Sequence, residues 1–248
     1  MNIDFFNLPH ILTITLIPIA IFFGLYFGLR KREENTIRQV LLWICIFNAV
    51  LYVVYKVVQF FQPTYEFYFL LNLPLHFCNL NLILLPLAIY LRNKHLMAYQ
   101  FYFGVCLAAI ALLAIDPAFR GAPLLDFTTI TYFYYHSFLM VAPILLITFG
   151  LYRPSFKNVW QPTVFLVGLT AIIHLINMFL RGTGLAPAAN YFFTYGLRGD
   201  PLTEIYWSII PYEFFFLIPA LLSFAPFIIL TTLPFYLKDR KAEQKTAS

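Results

Sequence analysis

Long apolar runs separated by short polar segments dominate the pattern of this chain. A helix needs about 20 mostly apolar residues to cross a bilayer. Seven runs meet that requirement, at 11–29, 38–61, 69–91, 96–115, 129–150, 159–180 and 211–237. None of them shows the alternation over about 10 residues that is typical of membrane-barrel strands. The pattern therefore predicts an all-α polytopic membrane protein, a seven-transmembrane helix bundle over residues 1–237.

Lysine and arginine are distributed unequally between the two sets of loops, and this asymmetry predicts the orientation. Positively charged loops stay in the cytoplasm. Twelve of the 16 lysine and arginine residues lie after the first, third and fifth runs or in the tail: Arg30, Lys31, Arg32, Arg38, Arg92, Lys94, Arg153, Lys157, Lys238, Arg240, Lys241 and Lys245. We therefore expect the N-terminus outside and the C-terminus in the cytoplasm, with the basic tail 238–248 disordered.

Composition agrees with a multi-pass protein of the cell membrane. The chain is 61% hydrophobic, 20% aromatic and only 11% charged, whereas soluble domains are about one quarter charged. The net charge of +5 is explained by the basic residues of the cytoplasmic loops and tail, so it does not indicate nucleic-acid binding. There is no Gly-rich phosphate loop, so we expect neither a nucleotide nor a nucleic-acid partner.

The segment "NLPLHFCNLN", residues 72–81, places polar side chains at the start of the third run. Ionisable residues inside a span are costly and usually face the interior of the bundle. At 1.5 Å per residue, five such groups lie about 8 to 14 Å below the outer ends of their runs. They are Lys56, His76, Cys78, His136 and His174. Their shared depth predicts one polar cavity open to the outer leaflet.

Within this cavity Cys78 is the candidate nucleophile, provided that a neighbouring base lowers the pKa of its thiol. The alternative is a small buried apolar residue, which is the usual state of a free cysteine. His76 lies about 200° around a regular helix from Cys78, so the base must come from another helix. His136 is the candidate general base, or else a histidine bonded within the core.

Other polar residues have supporting roles in this interpretation. His174 is a second base or a structural bond, with Asn177 nearer the surface. Lys56 pairs with Glu66 or Glu213, binds a lipid phosphate together with Arg181, or extends to the interface. Asn79 and Asn81 are candidate donors to an oxyanion.

We expect no metal and no cofactor. Three histidines at one depth suggest zinc, but no H-x-x-x-H or H-E-x-x-H spacing occurs. The last run has no lysine for a retinal Schiff base.

The outer loop 181–212 contains "DPLTEIYWSII", in which Asp200 and Pro201 are suited to a helix start. Its apolar residues follow helical spacing, which predicts a short helix over 200–210 at the outer interface. This helix is either a lid or a loop segment that packs.

Three features resemble a known family. "LPLHFCNLNLILLPL" is similar to the P-x-H-x-C signature of the YwaF-like integral membrane proteins of bacteria, and His136 fits the same family. The stretch "NYFFTYGLRGDPL", with Asn190 and Tyr191, resembles its loop before the last span. The start of the last span, "IYWSIIPYEFFFL", departs from the expected Gly-Pro-Trp-rich pattern. The bacterial family is similar to the transmembrane-protein-164 acyltransferases, which remodel phospholipids.

The resemblance implies a bacterial plasma-membrane protein with Cys78 as nucleophile and His136 as base. Our leading hypothesis is a membrane-embedded lipid acyltransferase or lipid hydrolase acting on a phospholipid or lysolipid. The alternative is a non-enzymatic carrier, or a protein that binds a lipid or solute, although no inverted repeat is visible. A structural subunit of a larger assembly is a third possibility.

Overall fold

The computed structural model describes residues 2–61, 68–114, 119–196 and 201–246. The chain divides into two compact units. The first unit consists of Met1–Phe67 and Cys78–Arg153, and the second of Tyr68–Phe77 and Pro154–Ser248. The described residues are helical apart from turns, loops and an isolated antiparallel bridge between Asn2 and Pro123. The predicted all-α class is thus confirmed.

The described residues of the first unit form six α-helices and one π-helical segment. In chain order these are α1 (Leu8–Leu29), α2 (Glu34–Phe60), α3 (Phe77–Tyr90), α4 (Lys94–Tyr99), the π-segment (Gln100–Gly104), α5 (Val105–Leu113) and α6 (Phe127–Thr148). The side chains of Asn7 and Asp126 accept hydrogen bonds from the first turns of α1 and α6, respectively, which satisfies donors that have no partner within a helix.

Helix α6 forms the centre of the first unit, packed against α1, α2 and α5. Most of its side chains are buried, including Phe133, Phe138 and Leu145, which are at most 1% exposed. In α1, by contrast, Leu16, Phe23 and Phe27 each expose about half of their surface. Such exposed apolar surface marks a face that contacts lipid or another protein.

In the second unit, the part of the chain that the structure describes forms four α-helices and three short 3₁₀ turns. The helices are α7 (Trp160–Gly182), α8 (Pro201–Ile209), α9 (Leu217–Leu222) and α10 (Ala225–Thr246), and the turns are Phe69–Leu71, Phe156–Asn158 and Tyr191–Phe193. Helix α8 lies where the sequence predicts a short helix; the predicted cap residue Asp200 lies outside the described residues.

Six helical stretches among the described residues are long and apolar enough to cross a membrane, which supports a multi-pass membrane protein. They are Leu8–Leu29, Glu34–Phe60, Lys94–Leu113, Phe127–Thr148, Phe156–Gly182 and Leu217–Lys245. The count of seven spans and the orientation of the termini stay predictions.

Two predicted boundaries differ from the structure. The run 69–91 is not one helix, because only Phe77–Tyr90, 14 residues, is α-helical. Pro74 disfavours helical geometry at the residue before it, and the chain makes a 3₁₀ turn and bends there. The tail 238–248 is predicted to be disordered, whereas α10 continues through Thr246. Its Ala, Glu, Gln and Lys residues are good helix formers.

Candidate functional site

The residues expected to line one cavity are divided between the two compact units. The first unit contains Lys56, Cys78, Asn79, Asn81 and His136. The second unit contains His76, His174, Asn177, Arg181, Asn190, Tyr191 and Glu213. The structure therefore defines two polar clusters, each built from the side chains of its own unit.

His136 is held in one tautomer by the backbone of its own helix. Its side chain is 4% exposed, and Nδ1 lies 2.8 Å from the carbonyl oxygen of Tyr132. Because a carbonyl oxygen can only accept, Nδ1 carries the proton and donates it. The lone pair of the imidazole is therefore on Nε2, the arrangement that a general base requires.

Four tyrosines whose rings contact one another lie beside His136, and we call them the tyrosine cluster: Tyr52, Tyr55, Tyr132 and Tyr135. The centroid of the His136 ring lies 4.1 Å from that of Tyr135 and 4.3 Å from that of Tyr132. The rings of Tyr52 and Tyr55, on α2, lie 6.0 and 6.5 Å from Tyr135. All four tyrosines are buried. This cluster was not predicted from the sequence.

Cys78 lies in the first turn of α3 and is half-buried. Within the part of the chain that the structure describes, no hydrogen bond joins Cys78 to His136. Hydrogen bonds between catalytic groups are often long without substrate and tighten in the complex.

Lys56 lies at the edge of the tyrosine cluster. Its Nζ donates a hydrogen bond to Oε1 of Gln59 at 3.0 Å, and Nε2 of Gln59 donates to the hydroxyl of Tyr55 at 2.7 Å. The ammonium group also lies 5.4 Å from the ring centroid of Tyr55, a cation–π distance. Its predicted partner Glu66 lies outside the described residues.

Asn81 is fixed by a residue that the sequence analysis did not identify. It is 1% exposed, and its Oδ1 accepts a hydrogen bond from Nε2 of Gln100 at 3.1 Å. Gln100 begins the π-segment, and such segments are frequent at functional sites. Asn79, two residues before Asn81, is half-buried. The side-chain amide of Asn81 thus retains Nδ2 as its donor.

In the second unit Asn177 fastens the loop that carries Asn190 and Tyr191. Its Nδ2 donates to the carbonyl oxygen of Tyr191 at 2.8 Å and to the hydroxyl of Thr194 at 3.0 Å. Asn190 closes the same loop, because its Nδ2 donates to Gly196 O at 2.7 Å and its Oδ1 accepts from Tyr195 N at 3.0 Å. Both asparagines therefore shape the backbone.

His174 and Arg181 lie on the same helix and contact this loop. Nδ1 of His174 is 3.0 Å from the hydroxyl of Thr194. The guanidinium of Arg181 lies 4.2 Å from the ring centroid of Tyr195 and donates to the Ala189 carbonyl oxygen at 3.1 Å. Burial and the negative charge of Glu213 raise the pKa of Tyr195, and Arg181 acts in the opposite direction.

His76 packs against the aromatic side of this loop. Its ring centroid lies 5.1 Å from that of Tyr191 and 5.2 Å from that of Phe193. The Tyr191 hydroxyl donates to the carbonyl oxygen of Leu70. His76, Asn177, Asn190 and Tyr191 thus form one connected structural cluster.

Among residues 2–61, 68–114, 119–196 and 201–246, no group of three His, Cys, Asp or Glu side chains is placed to hold a metal ion.

The fold is that of an all-α, multi-pass membrane protein with a buried histidine and a half-buried cysteine in one helical unit. The sequence profile of the TMEM164 family matches residues 5–231, and the chain belongs to this family. This confirms the TMEM164-related part of the resemblance, whereas the YwaF-like likeness stays a prediction. No curated protein and no solved structure matches the chain.

Proposed function

We propose that this protein is a membrane-embedded lipid acyltransferase or lipid hydrolase that uses Cys78 as its nucleophile. The observation that carries the proposal is the tautomer of His136. Its Nδ1 proton is engaged by the Tyr132 carbonyl at 2.8 Å, which leaves Nε2 to accept a proton. His136 and Cys78 belong to the same compact unit, and we propose that they act together.

The reaction follows from these two groups. Nε2 of His136 takes the thiol proton, and the Cys78 sulfur attacks the carbonyl carbon of a lipid ester. The resulting tetrahedral oxyanion collapses, and the lipid alkoxide leaves with the proton from His136. The acyl group is then a thioester on Cys78. An acceptor hydroxyl, or water in a hydrolase, attacks that thioester while His136 takes its proton. Collapse breaks the bond to sulfur and releases the new ester or acid, and His136 returns the proton to the Cys78 thiolate.

The oxyanion requires donors, each of which contributes a few kcal/mol. Nδ2 of Asn81 remains a donor when Oδ1 is bound to Gln100, and Asn79 lies in the first turn of the same helix. Lys56, which belongs to the same compact unit as Cys78, is the proposed contact for the lipid phosphate. The substrate is a phospholipid or lysolipid of the outer leaflet of a bacterial plasma membrane, with the N-terminus outside and the C-terminus in the cytoplasm.

The test is transacylation by the purified protein in lipid nanodiscs that contain a phospholipid with a labelled acyl chain. We expect an acyl-thioester on Cys78, detected by mass spectrometry and removed by hydroxylamine. Cys78→Ala should abolish both the adduct and turnover. Cys106→Ala is the matched control, because Cys106 is also half-buried but lies on α5. Unchanged turnover in Cys78→Ala would overturn the proposal, and solute uptake without labelling would favour a carrier.

A further inference from the structure

A lateral groove separates α2 and α3 in the first unit. Its volume is about 340 Å³ and its lining is entirely apolar, with Ile46, Ala49, Val50 and Val53 from α2 and Leu82, Ile83 and Pro86 from α3. Val50, Val53 and Ile83 each expose more than half of their surface. The groove therefore opens sideways, on helices whose apolar surfaces suit lipid tails.

Leu82, the first α3 residue that lines the groove, lies one helical turn after Cys78. Residues four apart on a helix lie on the same face, so Cys78, Leu82 and Pro86 are successive positions of one stripe. At 1.5 Å per residue, Leu82 lies about 6 Å and Pro86 about 12 Å along the axis from Cys78. A chain whose ester carbonyl reaches the thiol would extend directly into this groove.

We propose that the groove between α2 and α3 holds the acyl chain that is transferred through Cys78, and that Ala49 sets the chain length that fits. This inference rests on the proposed function. Ala49 is the smallest side chain that lines the groove. A larger residue there would shorten the space available beyond the thiol.

A second groove, of about 550 Å³, provides the comparison. Its lining comes from α1, α2 and α6, including Ala20, Tyr134 and Phe138, and contains no residue of α3. Tyr134 and Phe138 are each two residues from His136, about 200° around the helix. This groove is therefore on the side of α6 opposite to the candidate base, and it is not continuous with Cys78.

The first experiment is a competition between short-chain and long-chain phospholipids in nanodiscs, read out as acyl adducts on Cys78. We expect Ala49→Phe to lower the ratio of long-chain to short-chain adducts by at least about tenfold, since even one methylene group can be discriminated to that extent. Ala20→Phe, the same change in the second groove, should leave the ratio unchanged. The inference would be overturned if the ratio of long-chain to short-chain adducts changed in Ala20→Phe but not in Ala49→Phe. It would also be overturned if this ratio changed in neither variant.

A second experiment does not depend on the chemistry of Cys78. A phospholipid with a diazirine on its acyl chain is photolysed with the wild type, with Cys78→Ala and with Ala49→Phe. We expect labelling of residues 46–53 and 82–86 above that of the exposed face of α1, and loss of this enrichment in Ala49→Phe. Enrichment at these residues without any Cys78 adduct would support the groove as the acyl-chain site but would reject Cys78 as the nucleophile. Equal labelling of all exposed apolar faces would overturn the groove even if Cys78 is acylated.

Discussion

Asn177 and Tyr191 exchange two hydrogen bonds across 14 residues of sequence. Nδ2 of Asn177 donates to Tyr191 O at 2.8 Å, and Tyr191 N donates to Asn177 Oδ1 at 2.9 Å. The residues that follow, Phe192 and Phe193, have φ of 57° and 54°, a left-handed conformation that costs about 1–3 kcal/mol per residue. The side-chain amide of Asn177 thus replaces a backbone partner and holds a strained aromatic turn in place.

Asn177→Asp should loosen this turn. The carboxylate can still accept from Tyr191 N, but it presents an acceptor to the Tyr191 carbonyl in place of a donor. Leaving a buried polar group without its partner costs about 1–3 kcal/mol. Hydrogen exchange monitored by mass spectrometry should be faster in peptides covering 190–196 and unchanged in α6.

Asn93→Asp is the matched control for this substitution. Asn93 caps α4 by accepting from His95 N and Leu96 N, and Asp caps a helix as well as Asn does. Faster exchange in both variants, or in neither, would argue against the role assigned to Asn177.

Gly104→Ala should destabilise the protein, although alanine normally favours a helix by about 1 kcal/mol relative to glycine. A Cβ at this position would lie 3.0 Å from Oε1 of Gln100 and 3.7 Å from Nδ2 of Asn81. Gln100 would have to move, and the hydrogen bond that fixes Asn81 would be lost. We expect a net loss of about 1–3 kcal/mol, seen as a lower midpoint of thermal unfolding in detergent.

The decisive observation is whether Gly104→Ala lowers or raises the midpoint of thermal unfolding. A Cβ at Gly28, in α1, would have nothing within 4 Å, so Gly28→Ala should leave the midpoint unchanged or raise it. An equal rise in both variants would show that the space beside Gln100 is not tight.

The helices were largely predictable, because apolar runs and caps are local features. The break before α3 was harder to predict. Pro74 suggests either a helix start or a kink, and the structure places the helix start three residues later, at Phe77. In the tail, polarity favours disorder and the helix propensity of Ala, Glu, Gln and Lys favours a continued helix.

The candidate site was predictable only in part, because its neighbours come from distant parts of the sequence. Cys78 and His136 stand out as polar residues in apolar runs, but Tyr135 looks like any aromatic residue of a span. One available sign was on α2, where Asn48, Tyr52, Tyr55 and Gln59 repeat at helical spacing and are all buried. Nothing local indicates that Gln100 would bond to Asn81, because that contact depends on a π-segment.

His136→Asn tests the proposed base without removing its structural bond. The amide of asparagine can still donate to the Tyr132 carbonyl, but asparagine has no basic nitrogen that could accept a proton in place of Nε2. We expect acyl transfer to fall by about 10² to 10⁴, the usual contribution of a general base, while the midpoint of thermal unfolding stays close to that of the wild type. The measurement is the rate of Cys78 acylation in nanodiscs.

His174→Asn is the control for that variant, since His174 also uses Nδ1 for a bond, to the Thr194 hydroxyl at 3.0 Å. The His174→Asn variant should retain the acylation of Cys78. Equal losses in the two variants would indicate a general effect of losing a histidine, and full activity in His136→Asn would remove His136 from the mechanism.

The stability of α6 should depend on pH through its cap. The Thr128 hydroxyl and the backbone N–H groups of Thr128 and Thr129 donate to Oδ2 of Asp126. These hydrogen bonds lower the pKa of Asp126, with the Thr128 hydroxyl having the largest effect. A carboxyl whose pKa is lower in the folded state adds stability above its unfolded pKa of about 3.9. That stability is lost as the pH falls through the folded pKa.

Asp126→Ala should therefore cost about 1 kcal/mol at neutral pH, the usual value of an N-cap, and less in acid. Asp126→Asn should match the wild type at neutral pH, since asparagine is an equally good cap, but its contribution should not change with pH. Unfolding midpoints of the three proteins at neutral and acid pH provide the measurement. If the wild type and Asp126→Asn lose stability equally on acidification, the acid sensitivity comes from other carboxylates and Asp126 is only a neutral cap for α6.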